Sequence, residues 1–243
     1  MDYRELTCAI LAGGLGTRLR SVLPNTPKPM AMVNGRPFLD YLLAQIRQAG
    51  ITDVILCVGH RAEVIEKHID DGQGHGVRVR YSRERELLGT AGALSLARAL
   101  LRSDPFLAVN GDSYCEVDIH ALLKQHQTRG AMATMVVTGV RERSRYGSAV
   151  LGSDDGIVRF VEKGAATGPG YINGGIYVLG QAVLDPAPVG RSCSLEQDIF
   201  PGLAGCGLYA FKTSGTFIDI GVPSELERAQ AVLKEIAGGG VGT

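Results

Sequence analysis

Three glycines, a threonine and an arginine crowd into Leu11-Ala12-Gly13-Gly14-Leu15-Gly16-Thr17-Arg18-Leu19, and Pro27-Lys28-Pro29-Met30 follows shortly after. This set has the chemistry of a polyphosphate cradle. Glycines let the backbone come close to a ligand and turn its N–H groups inward. Arg18 and Lys28 supply positive charge for phosphate oxygens, and no acidic partner for either is evident nearby in the sequence. Lys28 sits between two prolines, which stiffen its backbone and favour a preformed position. Two common meanings of a glycine-rich loop are excluded. A dinucleotide fingerprint needs a third glycine where Leu19 stands, and a P-loop needs Gly-Lys-Ser/Thr where the chain has Gly16-Thr17-Arg18.

These residues need a scaffold, and the first half of the chain describes one. Residues 7–11 read as a strand, 37–49 as a helix, Asp53–Val58 as a strand and Arg61–Ile69 as a helix. Val77–Tyr81, helical Thr90–Leu101 and strand Phe106–Val109 continue the alternation. This β-α-β rhythm predicts an α/β, Rossmann-like mixed sheet, mainly parallel, with helices on both faces. Ligands of such folds bind beyond the carboxyl ends of the strands, where both Gly13–Thr17 and Asn110-Gly111-Asp112 fall. The second half is richer in strands: Thr134–Val140, Ser148–Leu151, Ile157–Val161, Ile176–Leu179 and Phe217–Ile220, closed by a helix over Pro223–Ile236. Residues 1–237 are expected to form a single domain, with a nucleotide-binding half (1–112) and a sugar-phosphate-binding half (113–237). Residues 238–243, glycine-rich, are expected to form a flexible tail.

Composition narrows the class. The 243 residues are 45% hydrophobic, enough for a large core, and 25 basic side chains balance 25 acidic ones. Zero net charge argues against a nucleic-acid partner, and no apolar run approaches the length of a membrane span. The five cysteines form no CxxC pair. An odd count without a leader points to a reducing cytoplasm. The five histidines show no metal-ligand pairing; His120 and His126 are six apart rather than four, and all five read as surface or structural residues. Arg141–Arg145 reads as a solvated loop.

LAGGLGTRL…PKPM resembles the signature of the sugar-1-phosphate nucleotidyltransferases (nucleoside-diphosphate-sugar pyrophosphorylases). The resemblance continues, in family order, through Leu88-Gly89-Thr90-Ala91-Gly92-Ala93, Asn110-Gly111-Asp112, Glu162-Lys163, Asn173-Gly174-Gly175 and Asp219-Ile220-Gly221. Arg145-Tyr146-Gly147, the Phe217–Pro223 segment and Ser21-Val22 are most similar to the D-glycero-α-D-manno-heptose 1-phosphate guanylyltransferases. The fold this implies is the nucleotide-diphospho-sugar transferase fold. The implied reaction is attack by a sugar 1-phosphate oxygen on the α-phosphorus of a nucleoside triphosphate, with loss of pyrophosphate. A phosphate monoester, with a second pKa near ~6, is already anionic at neutral pH, so no catalytic His or Ser is expected. Alignment and charge neutralisation are what the protein must supply.

By resemblance, Arg18, Lys28, Asp112 and Lys163 are the catalytic residues, and Leu11, Gly13, Gly14, Thr17, Glu84, Gly89 and Thr90 hold the nucleotide. Gly147, Glu162, Lys163, Asn173 and Gly174 hold the sugar phosphate, with Glu196 a weaker candidate. Asp112 and Asp219 would ligate Mg2+, which takes hard carboxylate oxygens and substrate phosphates. Glu84 bears on the base, because guanine presents N1–H and an exocyclic amine, two adjacent donors that one acceptor-only carboxylate can receive. The expected partners are therefore GTP and a sugar 1-phosphate, heptose 1-phosphate first, with a homodimer as a family-level expectation. Mannose 1-phosphate or UTP as substrate, and a non-catalytic nucleotide-sugar sensor, remain alternatives.

Overall fold

The computed structural model describes residues 5–19, 22–161 and 163–238. Glu162, Ser21 and the tail residues 239–243 lie outside them. The strands are β1 (Thr7–Leu11), β2 (Met32–Val33), β3 (Arg36–Pro37), β4 (Asp53–Val58), β5 (Arg78–Arg83), β6 (Phe106–Asn110), β7 (Ser113–Cys115), β8 (Ala133–Val140), β9 (Ser148–Leu151), β10 (Ile157–Val161), β11 (Gly170–Leu179), β12 (Leu208–Thr213) and β13 (Phe217–Asp219). The helices are α1 (Phe38–Gln48), α2 (Ala62–Ile69), α3 (Gly89–Ala97), α4 (Ile119–Arg129), α5 (Phe200–Leu203) and α6 (Pro223–Gly238).

The central sheet runs β10-β9-β11-β6-β1-β4-β5, with β8 and β12 continuing from β11. Strand β1 is parallel to both β4 and β6, and β4 is parallel to β5. Beyond β6 the sheet turns antiparallel, because β11 runs against β6, β8 and β9. The mixed, mainly parallel sheet is as the alternation of elements predicts. From β1 the chain builds outward through β4 to β5, then crosses to β6 on the other side of β1. That reversal opens a crevice at the carboxyl ends of β1 and β6.

Burial on both faces explains why the strands read as continuous apolar runs. Cys8, Ile10, Val54, Leu56, Val58, Leu107 and Val109 face α1, α2, α4 and α6 in one core. The alternate residues Ala9, Ile55, Cys57, Phe106 and Ala108 face α3, α5 and the 195–199 turn in the other. Small residues on this second face, with Ala91, Ala93 and Ala97 on α3, bring that helix close over β1.

Several elements differ from the sequence expectation. Strand β11 starts at Gly170, six residues ahead of Ile176, so Asn173 is held in a strand. Helix α4 and strands β7 and β12 have no counterpart in that reading. Helix α3 stops at Ala97 and tightens into a 3-10 turn over Arg98–Leu100. Helix α6 continues to Gly238, so the predicted tail starts inside a helix; residues 239–243 fall outside the described part. Among the described residues no helix is long and apolar enough to cross a membrane.

Candidate active site

The loop after β1 leaves the sheet with Ala12 N–H still donating to Cys57 O, so the backbone of residues 13–17 hangs over the ends of β1 and β4. Gly16 takes φ +60, a conformation that favours glycine, and this turns the chain into the 3-10 turn Thr17–Leu19 that carries Arg18. Gly13 is required for a different reason: a β-carbon there would overlap Glu84 Oε1. The Glu84 carboxyl is thus laid against the glycine backbone. Its Oε2 accepts Leu88 N–H at 3.1 Å, and burial pushes its pKa above the usual carboxylate range.

These elements enclose a cavity of about 550 Å3. Leu11, Gly13, Gly14, Thr17, Glu84, Gly89 and Thr90 all line it, together with Arg18, Lys28 and Asp112. Its glycine- and leucine-rich walls, with cations at one end, suit a flat base and a phosphate chain. Leu15 and Leu87 line the same cavity and are largely exposed, an apolar surface that an inserted ring would cover.

A second cavity, of about 310 Å3, adjoins the first. Arg18, Asn110 and Asp112 line both, so the two chambers meet where those three side chains stand. Lys163, Gly147 and Asn173 lie on the wall of the smaller chamber, as do Asp219 and Glu196. Gly174 does not. It is buried behind the wall, where a β-carbon would lie 3.1 Å from both Cys115 Sγ and Val136 O. The expectation that Gly174 lines the pocket is corrected accordingly; it is a packing glycine of β11. Glu162 lies outside the described residues.

Short strands fix the two carboxylates. Strand β13 pairs antiparallel with β7, opposing Asp219 to Ser113, and Ile220 N–H donates to Asp112 O at 3.0 Å. Asp219 Oδ1 accepts Gly221 N–H at 2.8 Å. Burial raises the Asp219 pKa, and the nearby Asp112 carboxylate raises it further, against the pull of Lys28 and Arg18. Two carboxylates that repel one another, Asp112 at the junction and Asp219 on the wall of the smaller chamber, make a fitting donor set for a hard divalent cation. Lys28 is not unpaired, as the sequence suggested; its Nζ lies 2.6 Å from Asp112 Oδ2. Asn110 Oδ1 is buried at the same junction with no hydrogen-bond partner among the described residues.

The smaller chamber carries charges of both signs: Arg18, Arg145 and Lys163 stand among Asp112, Asp219 and Glu196. Lys163 loses proton affinity through burial first, then through Arg18, Arg145 and Lys28, while Asp219 opposes the shift. Lys163 therefore stands within the field of three other cations, a setting that suits a phosphate group. Arg145 lies exposed in a loop, as expected, and it also lines this chamber, 3.4 Å from Glu225. Its place directly before Tyr146-Gly147 was the available signal. Glu196 is held more firmly than a weak candidate would be. Its Oε2 accepts Thr90 Oγ1–H and Ser194 Oγ–H, each at 2.9 Å, and its Oε1 accepts Tyr177 O–H at 3.0 Å. A π turn over Leu195–Ile199, capped by Ser194, presents it.

The nucleotidyl transferase family model matches residues 8–235. A mannose-1-phosphate guanyltransferase beta-A from Xenopus laevis is 40% identical over 221 residues, covering 89% of this chain and 61% of that protein. The chain thus spans about three-fifths of the length of the mannose-1-phosphate relatives from Xenopus. A D-glycero-alpha-D-manno-heptose 1-phosphate guanylyltransferase from Aneurinibacillus thermoaerophilus is 36% identical over 226 residues, covering 93% of this chain and 97% of that one. Among solved structures, HddC from Yersinia pseudotuberculosis complexed with GMP-PN superposes with a TM-score of 0.84 at 33% identity, covering 94% of this chain and 99% of that chain.

Proposed function

The chain belongs to the nucleotidyl transferase family, and from that premise we propose that it is a sugar-1-phosphate guanylyltransferase, joining GMP from GTP to a sugar 1-phosphate and releasing pyrophosphate. The observation that carries this reading is the junction of two unequal chambers at Arg18, Asn110 and Asp112. The larger chamber takes the nucleoside triphosphate. The smaller takes the sugar phosphate and directs its phosphate at the α-phosphorus. The attacking oxygen is already anionic, and pyrophosphate departs as an anion, so no protein base is needed. Arg18 and Lys28 neutralise the triphosphate, and Lys163, with Arg145 behind it, draws the sugar phosphate towards the junction. Bringing two anions together is the main barrier, and the clustered cations offset it. Asp112 and Asp219 would hold a magnesium ion, which when bound adds charge neutralisation at the α-phosphate and the leaving group.

Glu84 supports guanine over the other bases. Its carboxylate is fixed at the wall of the larger chamber and accepts from one backbone N–H, leaving acceptor capacity for both donors of guanine. For the sugar we place D-glycero-α-D-manno-heptose 1-phosphate first. The supporting residues are Arg145-Tyr146-Gly147 and Phe217, whose aromatic rings meet edge-on at 5.7 Å on the wall of the smaller chamber. Mannose 1-phosphate is the second reading, favoured by the mannose-1-phosphate guanylyltransferases among the relatives at 39–40% identity. The test is a pyrophosphate-release matrix of four nucleoside triphosphates against heptose, mannose and glucose 1-phosphates, with magnesium. GTP with the heptose phosphate is expected to give the highest kcat/KM. In parallel, Glu84→Gln is expected to lower the GTP/UTP preference at least tenfold; an unchanged preference would remove Glu84 from base selection.

A further inference from the structure

Away from both chambers, the fold gathers three side chains that are far apart in sequence. Asp40 stands in the first turn of α1, His68 in the last turn of α2, and His75 in the 3-10 turn Gln73–His75. His68 Nε2 lies 2.9 Å from Asp40 Oδ1, and His75 Nε2 lies 3.3 Å from the same oxygen. One ligand atom from each residue falls within 4.8 Å of the others. The two imidazoles meet edge-on with centroids 5.5 Å apart, so both rings turn inward on one carboxylate. We propose that Asp40, His68 and His75 form a binding site for a borderline divalent transition metal such as Zn2+ or Co2+, distinct from the carboxylate pair of the candidate active site.

The ligand chemistry selects the metal class. Two imidazoles and one carboxylate suit Zn2+, Co2+ or Ni2+, whereas Mg2+ favours oxygen donors. The distances agree. An ion with bonds of about 2.0–2.1 Å in tetrahedral geometry holds its ligand atoms about 3.3–3.4 Å apart. His75 Nε2, at 3.3 Å from Asp40 Oδ1, already stands at the lower edge of that range, and His68 Nε2, at 2.9 Å, has to move out by about 0.4 Å. The turn that carries His75 is firmly built: Gly72 and Gly76 flank it at φ +84 and +71, and Asp71 Oδ1 accepts Gln73 N–H at 2.9 Å. Such a metal would clip α1, α2 and this turn together on one face of the sheet. Water or a fourth donor would complete its shell, since His68 is about a third exposed.

The test uses the whole chain carrying Cys206→Ser, which removes the exposed thiol as a competing ligand. Chelator-stripped protein is returned to excess Mg2+ and titrated with Co2+ and then Zn2+. One Co2+ per chain is expected, with a visible spectrum of nitrogen and oxygen ligation. His68→Gln and His75→Gln are each expected to weaken binding at least tenfold and to abolish the rise in Tm that Zn2+ causes in the parent. Their nucleotidyl transfer rate in Mg2+ is expected to stay within twofold of the parent. Failure of the parent to take up Co2+ at micromolar concentration would show a hydrogen-bonded cluster only and overturn the proposal. Parent-like binding in either histidine variant, or a thiolate band in the spectrum, would overturn it equally. Either variant failing to fold leaves the parent's stoichiometry and spectrum, with Asp40→Asn, to decide the matter.

Discussion

Lys163 lines the smaller chamber and not the larger one, so its removal separates the two halves of the proposed reaction. Lys163→Met is expected to lower kcat/KM for the sugar phosphate by about 10²–10³. Nucleotide affinity, measured by calorimetry, should stay within a few-fold. Asp219 makes a prediction about pH. Its pKa is raised in the folded chain, so folding favours its protonated form, and ionising it costs stability. That cost is absent below the ordinary aspartate value of 3.8 and grows as pH rises through the raised folded value. Asp219→Asn should therefore raise the Tm of the metal-free protein near pH 8, and by progressively less towards pH 4, while transfer falls by at least about 10². A variant equally stabilised at both ends of that pH range would show that the gain is not electrostatic. At this scale the glycine loop, Arg18 and Lys28 stand out by residue type, whereas Asp112 and Asp219 stand out only through the family resemblance. The Lys28–Asp112 pair and the metal-binding cluster were not legible. Each depends on residues far apart in the chain, 84 positions in the first case, and His68 and His75 escape any search for helical i, i+4 spacing.

The elements matter because the site is assembled from their ends. Strands β1, β4 and β6 were readable from apolar runs that both cores require, and their carboxyl ends place the glycine loop and Asp112. Strand β13 was readable as Phe217–Ile220, whereas strand β7 and the π turn were harder. The three residues of β7 leave too little periodicity to detect, and Leu195–Ile199 is a π turn, whose spacing matches neither helix nor strand. Strand β11 was half missed because Gly174 and Gly175 interrupt its apolar pattern. The π turn can be tested through its cap. Ser194 Oγ accepts Glu196 N–H and Gln197 N–H, each at 3.2 Å, and donates to Glu196. Ser194→Ala should cost about 1 kcal/mol, a Tm loss of about 2–4 °C. It should also raise KM for the sugar phosphate more than KM for GTP. Equal changes in both would argue that the turn serves folding alone.

At the scale of the whole molecule, zero net charge goes with a site that gathers both signs. Arg18, Lys28, Arg145 and Lys163 converge on one junction, facing Asp112 and Asp219. The fold makes this possible by reversing its strand order at β1, with β4 on one side and β6 on the other, which brings the two chambers to a common edge. The central claim is that a phosphate oxygen held in one chamber attacks the α-phosphorus of a triphosphate held in the other. Sugar 1-phosphate labelled with 18O in its phosphate group, incubated with GTP, Mg2+ and the protein, tests that claim most directly. The account predicts that pyrophosphate forms only when the sugar phosphate is present, and that all of the label is recovered in the GDP-sugar. Label in the pyrophosphate, pyrophosphate released without the sugar phosphate, or binding of both substrates with no pyrophosphate at all would contradict it.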